Sequence, residues 1–231
     1  MWLNQLQPVE DDDALAYLYR RGVSDELRDA YRVSSWCSPS EPIDDAAFVS
    51  KFGVFGERLE GLLIFPFTAP SGRVVGFEAR SYTEKRVFNF RSSEASWNAC
   101  WLGLTIEAMG RIWAGEDVWI SEGFFDLVAL ARVIPDVSLS STHAGLSNNH
   151  VNFLSRFVRG TVHMCYDNDV TGQNQTYGYT DPKTGRFHSG AVQRLKRAGV
   201  RVVVETYAGK DPGAVWDRGG DVALQREFGR K

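Results

Sequence analysis

Five carboxylates in this sequence stand where acidic side chains can act together. Glu122 closes the apolar run Asp117–Ser121 and is followed by Gly123, with Asp126 one helical turn further on. Asp167 and Asp169 close a second run in Asp167-Asn168-Asp169-Val170-Thr171-Gly172, and Asp211 follows a third in Gly209-Lys210-Asp211-Pro212. Carboxylates converging on one edge repel one another unless a cation lies between them. Hard oxygen donors with room left for water and phosphate suit Mg²⁺ or Mn²⁺. Taken singly, an acid at a strand end is a common turn former or helix cap. Two acidic motifs in order, each directly after a β-rich run, make the stronger case for a metal site.

The elements that must position these groups are legible as an alternation. Asp117–Ser121, Val137–Leu139, Thr161–Tyr166 and Val200–Glu205 read as strands; 124–133, Asn148–Phe157 and Gly190–Ala198 read as helices. Four strands with intervening helices predict an α/β domain built on a four-stranded parallel sheet with right-handed crossovers. Ligands of such sheets collect at the carboxyl ends of the strands, where the acids lie. Residues 173–189 interrupt the alternation with a hairpin that turns at Asp181-Pro182-Lys183-Thr184-Gly185.

Upstream, Asp12–Arg21 predicts a helix with acids in its first turn and Gly22 after a basic end. Ser24 caps a second short helix, and residues 36–61 look loop-rich. Leu62–Phe67 and Val74–Ala79 predict a hairpin through Ala69-Pro70-Ser71-Gly72, with a further strand at Val87–Phe90. The pattern changes near residue 115. The expected division is a mixed α/β subdomain over 1–115, the acidic α/β domain over 116–215, and a C-terminal tail over 216–231.

Composition narrows the classes. Of 231 residues 43% are hydrophobic, too many for a disordered tail. No apolar run approaches the roughly 18 residues that span a bilayer, and the N-terminus lacks the basic start and apolar core of a signal peptide. Cys37, Cys100 and Cys165 are scattered and odd in number, which excludes a disulfide framework, and the absence of a C-x-x-C pair argues against a zinc ribbon. A cytoplasmic protein is expected. The net charge is −3, yet 20 of the 26 basic residues are Arg, the side chain suited to bidentate phosphate contacts. Arg73, Arg80, Lys85, Arg86 and Arg91 face only Glu78 and Glu84 within 73–91, a local field that can attract nucleic acid even on an acidic chain. His143, His150, His163 and His188 lack zinc-ligand spacing, and His163, inside an apolar strand, reads as a core histidine. Trp97 and Trp101 flank the basic segment and are the two Trp that could stack on bases.

Ser121-Glu122-Gly123-Phe124-Phe125-Asp126 with Cys165-Tyr166-Asp167-Asn168-Asp169-Val170-Thr171-Gly172 resembles a Toprim domain, a fold shared by primases, topoisomerases and some nucleases. The upstream residues resemble the bacterial and phage-type (DnaG-like) primase catalytic core. Ile64–Phe67 with Gly72–Arg80 resembles its strand, turn and G-F-x-x-R strand, and Arg86–Glu94 its K-Y-x-N-S-x-E segment. Trp101-Leu102-Gly103-Leu104 stands where that family carries Y-G-L, and Tyr17–Val23 is similar to its Y-L-x-x-R-G-L opening. The resemblance runs in order from about residue 14 to 215. The family's zinc module and its helicase-binding region have no counterpart in these residues, and its D-P-D reads Asp211-Pro212-Gly213.

What the resemblance implies is RNA primer synthesis on single-stranded DNA by metal-dependent nucleotidyl transfer, using ribonucleoside triphosphates. Glu122, Asp167 and Asp169 would be catalytic and, with Asp211, hold Mg²⁺ or Mn²⁺ and no zinc; Asp126 would support them. Arg80, Lys85, Arg86, Asn89 and Lys210 would face the template or the nucleotide. A replicative helicase or a separate zinc module would be the partner, in a bacterial cytoplasm, with a compact phage-type core suggested by the composition and no membrane involved. A Toprim nuclease and a non-catalytic nucleic-acid-binding module are the alternatives.

Overall fold

A computed structural model of the chain describes residues 2–92, 100–141 and 145–229. It divides into two units, residues 1–100 and 101–231. Trp97 and Glu94, singled out above, and His143 lie outside the described residues.

The first unit is an antiparallel sheet of five strands, β1 (Leu6–Pro8), β2 (Ser34–Trp36), β3 (Leu62–Thr68), β4 (Val74–Ser81) and β5 (Val87–Arg91), in that spatial order. Helices α1 (Asp12–Arg20) and α2 (Asp25–Ala30) start where expected, because Asp11 accepts from the Ala14 N–H at 2.8 Å and Ser24 from the Leu27 N–H at 3.4 Å. The stretch read as loop-rich contains a helix, α3 (Ala46–Phe52). Asp45 caps it and Gly53, at φ 89°, ends it. Phe48 and Phe52, one turn apart, bury completely with Leu62, Ile64, Phe77, Ala79 and Phe90, all on one sheet face. That aromatic cluster makes so short a helix stable.

In the second unit α4 (Ile106–Ala114) precedes β6 (Val118–Ser121), α5 (Phe124–Ala131), β7 (Val137–Ser140), α6 (Asn148–Phe157) and β8 (Val162–Cys165). Then come α7 (Val170–Tyr177), a small hairpin β9 (Tyr179–Thr180) and β10 (Phe187–His188), α8 (Ala191–Arg197), β11 (Val202–Val204) and α9 (Pro212–Phe228). The four long strands form the expected parallel sheet, in the order β11-β8-β6-β7. The hairpin is also where the sequence puts it, but a helix, α7, intervenes between β8 and the hairpin.

Two expected boundaries move. The first unit ends at residue 100 rather than 115. Leu102 exchanges backbone hydrogen bonds with Ser140 at 3.2 and 3.1 Å, and α4 packs against β7, so both belong to the second unit. The 216–231 tail is instead mostly helix. Val215, Leu224 and Phe228 of α9 are buried with Trp119, Ala129, Leu130 and Ile134. Arg132 clamps Asp221 through two nitrogens, at 2.5 and 2.7 Å, while its guanidinium lies over Trp216. Gly219 and Gly220, the latter at φ 59°, kink α9 midway.

His163 is the paired core histidine that its position suggested. Its ring nitrogens meet Glu205 at 2.6 Å and Asp117 at 3.3 Å, and it stacks on Trp119. Burial pushes its pKa down, but the two carboxylates together carry it above the ordinary value. Trp101 is fully buried against His150 and cannot stack on a base.

The helical reading of 212–228 is checked by calorimetry on two variants. Leu224→Ala leaves a cavity and should cost about 2–5 kcal/mol, lowering the melting temperature by roughly 5–15 °C. Val222→Ala, 82% exposed on the same helix, should stay within about 0.5 kcal/mol of wild type. Equal, negligible effects of both would return these residues to a tail.

Candidate active site

The parallel register sets the site. Ser121 on β6 pairs with Cys165 on β8, so Glu122 and Asp167 leave the sheet at neighbouring points of its carboxyl edge. The Asp167 N–H donates to Glu122 Oε1 at 3.2 Å, fixing the buried Glu122 carboxylate beside the second motif. At position 172 only glycine fits against this pair. A Cβ there would come within 2.2 Å of the Asp167 carbonyl oxygen and 2.8 Å of Glu122 Oε1.

Three helices begin at this edge, and acids meet their free N–H groups. Asp169 caps α7, its Oδ1 accepting from the Gly172 N–H at 3.0 Å. Asp211 caps α9, its Oδ1 accepting from the Ala214 N–H at 2.6 Å. Asp126, in the first turn of α5, accepts from the N–H of Gly123 at 3.1 Å and of Gly213 at 3.0 Å. Both of its oxygens are thus committed to backbone. It ties the start of α5 to the start of α9.

The remaining oxygens share one cation. Lys210 Nζ lies 2.9 Å from Asp167 Oδ2, 3.7 Å from Asp169 Oδ2 and 3.8 Å from Asp211 Oδ2. Lys210, expected to face a nucleotide, instead faces the carboxylates, because three converging anions outcompete solvent for its charge. Its pKa rises, first through the hydrogen bond with Asp167. Burial raises Asp167 despite Lys210, whereas the Gly172 N–H holds Asp169 below its usual value. Partial burial, with Asp211 alongside, pushes Asp126 up to about 7.

Among the described residues no three His, Cys, Asp or Glu side chains close up far enough to chelate an ion as they stand. Their donor set nonetheless fits one. Three carboxylates already surround a single positive centre, and Lys210, 58% exposed on a flexible stem, can withdraw to leave it. The donors are hard oxygens suited to Mg²⁺ or Mn²⁺. The neighbouring Cys165 is buried, and burial pushes its thiol well up.

Sequence reasoning missed Asn168. Its Nδ2 donates to the carbonyls of Tyr207 at 3.2 Å and Gly209 at 2.8 Å, and its N–H to that of Lys210 at 2.6 Å. It pins the loop that delivers Lys210 and Asp211. Its place between two aspartates was the available signal.

In the first unit the basic residues lie on and beside one face of the sheet. Arg80 is half-buried on β4 and pairs with the buried Glu78 at 3.1 Å. Asn89, directly across from Glu78 on β5, is exposed, as are Lys85 and Arg86 in the turn. Arg86 pairs with Glu84 at 3.1 Å.

Residues 119–214 match a family described as Toprim-like. The DNA primase of Staphylococcus epidermidis is 26% identical over 228 residues, covering 90% of this chain and 36% of that protein. This chain therefore spans about a third of such a relative's length. A solved DnaG primase catalytic domain bound to ssDNA matches 98% of this chain and 76% of its own, with TM-score 0.67 and 20% identity. The zinc-binding and RNA polymerase domains of Aquifex aeolicus primase match 94% of this chain and 55% of their own, with TM-score 0.66 and 23% identity.

The raised pKa of Asp126 has a signed consequence. A carboxyl whose folded value lies above its unfolded value, near 3.9, holds its proton more tightly when folded. Stability in metal-free protein therefore falls as pH rises from about 4 to about 7. Denaturant titrations of wild type and Asp126→Asn across that range should differ in slope, the variant losing this component. Parallel pH profiles would show that Asp126 is not the group responsible.

Proposed function

We propose, from a chain that carries a Toprim-like domain within a DnaG-type primase fold, that it is a DNA primase catalytic core making short RNA primers on single-stranded DNA. The observation that carries the reading is the convergence of Asp167, Asp169 and Asp211 on one cationic centre beside Glu122. A divalent cation bound there would offset charge on a triphosphate and lower the pKa of an attacking 3′-hydroxyl. The protein's own residues set the geometry. Glu122 and Asp167 are locked together by a backbone hydrogen bond, and Asp169 and Asp211 each spend one oxygen on a helix start and present the other. Lys210 balances these charges before substrate arrives and then becomes available to the triphosphate.

In the first unit, Arg80, Lys85, Arg86 and Asn89 are assigned to phosphates of template or nucleotide. The DnaG domain bound to ssDNA and the primase carrying zinc-binding domains support a single-stranded DNA template and a zinc module as partner. A replicative helicase, ribonucleoside triphosphates and a bacterial cytoplasm, with a phage-type gene as one source, complete the proposal. No described helix is long and apolar enough to cross a membrane.

The test incubates the chain with a single-stranded template, four ribonucleotides and Mg²⁺ or Mn²⁺. Oligoribonucleotides are expected; a shortened template would mean a nuclease, and a bound but unchanged template a binding module. Asp169→Ala should lower product at least about 100-fold and weaken Mn²⁺ binding by calorimetry. Wild-type Mn²⁺ affinity in that variant would remove Asp169 from the ligand set.

The basic segment gives a separate prediction. Neutralising Lys85 should reduce the salt dependence of single-strand binding by roughly 0.7 for each phosphate it no longer neutralises. Arg86, already paired with Glu84, should cost less when replaced. Unchanged slopes in both variants would make the turn an ordinary solvated surface.

A further inference from the structure

The hairpin between α7 and α8 has no role in the carboxylate site, yet its backbone is closely fitted. Gly178, at φ 85°, and Gly190 pack backbone to backbone at its base: a Cβ on Gly178 would meet the His188 carbonyl oxygen at 2.3 Å, and one on Gly190 the Gly178 nitrogen at 2.3 Å. At its tip Asp181 Oδ1 accepts from the Lys183 N–H at 2.8 Å, and its backbone closes on Gly185 and Arg186. Gln193 of α8 holds the Tyr177 carbonyl at 2.7 Å. A fixed base and a fixed tip hold up side chains that face water.

Those side chains have one chemistry. Arg186, Phe187 and His188 line an open cavity of about 820 Å³ together with Arg194, Arg197 and the start of α6. No Asp or Glu is among the described residues that line it. Among the described residues the guanidinium groups of Arg186 and Arg197 have no partner. Arg194 is committed: it bonds the Leu146 carbonyl and, at 2.8 Å, Asn148 Oδ1, so it forms the wall. Phe187 is 52% exposed, and Tyr179, 45% exposed, stacks on His188 with ring centroids 5.0 Å apart. A second cavity, of about 310 Å³, shares His188 and Arg194 and reaches Thr171, two residues from Asp169.

We propose that this hairpin and the adjoining face of α8 bind the phosphodiester backbone and bases of a single nucleic-acid strand, at a site continuous with the carboxylate edge. Unpaired guanidinium groups take phosphates, and exposed rings take base faces. The spacing suits a polymer better than one phosphate, since the charges and rings are spread along two joined cavities. The inference rests on the reading of the chain as a nucleic-acid enzyme and adds to it a surface for the strand beyond the reacting atoms.

Fluorescence anisotropy with labelled dT12 and rU12, on the full chain, tests it. Arg186→Ala/Arg197→Ala should weaken binding about tenfold and lower the salt slope by roughly 1.4, two phosphates at about 0.7 each. Phe187→Ala should weaken it about fivefold or more through lost stacking. Arg186→Lys/Arg197→Lys should restore most of the salt slope, which a merely misfolded alanine variant would not explain. A preference for rU12 assigns the site to product, and one for dT12 assigns it to template; either supports the proposal. Wild-type affinity and slope in the alanine variants would overturn it. Equal competition by inorganic tripolyphosphate, with Phe187→Ala silent, would also overturn it by reducing the site to a phosphate patch. The outcomes separate the two readings: product synthesis with unaltered hairpin-variant binding defeats this inference alone, and weakened binding without any product defeats the primase reading alone.

Discussion

Like charge gathered at one sheet edge is the constraint around which the second unit is organised. A parallel sheet brings the ends of β6 and β8 level, and the chain places a carboxylate at each. Unit charges a few ångströms apart in partly buried surroundings repel by kcal/mol amounts, so each acid needs compensation. It comes from two sources. The starts of α5, α7 and α9 supply backbone N–H groups and partial positive charge, and Lys210 supplies a whole charge. Asp169 and Asp211 use both sources at once, with Oδ1 on a helix and Oδ2 on the ammonium. Helix capping and cation binding are therefore one interaction here, and a change to either acid alters both.

This arrangement explains what could be read from the residues alone. The carboxylates follow apolar runs, a local pattern, and the strand-acid-helix alternation yields the sheet without knowledge of the fold. Lys210 was legible as a basic residue near an acid, but its position among three acids from the ends of two strands depends on the register of β8 and β11 and on Asn168 holding the loop. Three of the helices that escaped notice share a cause. α7 is Val-Thr-Gly-Gln-Asn-Gln-Thr-Tyr, with no apolar stripe, and exists because Asp169 caps it and Gly172 fits against Asp167 and Glu122. α9 carries two adjacent glycines, and only the buried Val215, Leu224 and Phe228 show why it persists as helix. α3 is seven residues long, and its signal was two phenylalanines. In each, tertiary packing overrides weak propensity.

The basic segment shows the reverse difficulty. Counted along the sequence, residues 73–91 carry an excess of positive charge. In the fold, part of it is already spoken for: Glu78, completely buried, sits against Arg80, and Glu84 against Arg86. Burying an unpaired carboxylate is costly, so Arg80 first stabilises the sheet, and any phosphate it meets must share its guanidinium. The charge excess overstates the field this surface offers, and Lys85, exposed in the turn, is less committed than Arg80 or Arg86.

Gly213 is best understood through the same charge balance. Where the primase pattern has a second carboxylate after the proline, this chain has a glycine whose N–H donates to Asp126. Asp126 is already pushed up to about 7 by burial and by Asp211. Another anion at position 213 would stand beside this bond and press the carboxyl further toward its neutral form. Neutral, Asp126 would keep one good acceptor where it now has two, and the link between the starts of α5 and α9 would loosen. With glycine there, the edge carries few enough charges for one ammonium to hold it together. The departure from the primase pattern at position 213 thus keeps the charge of this edge within what Lys210 can balance.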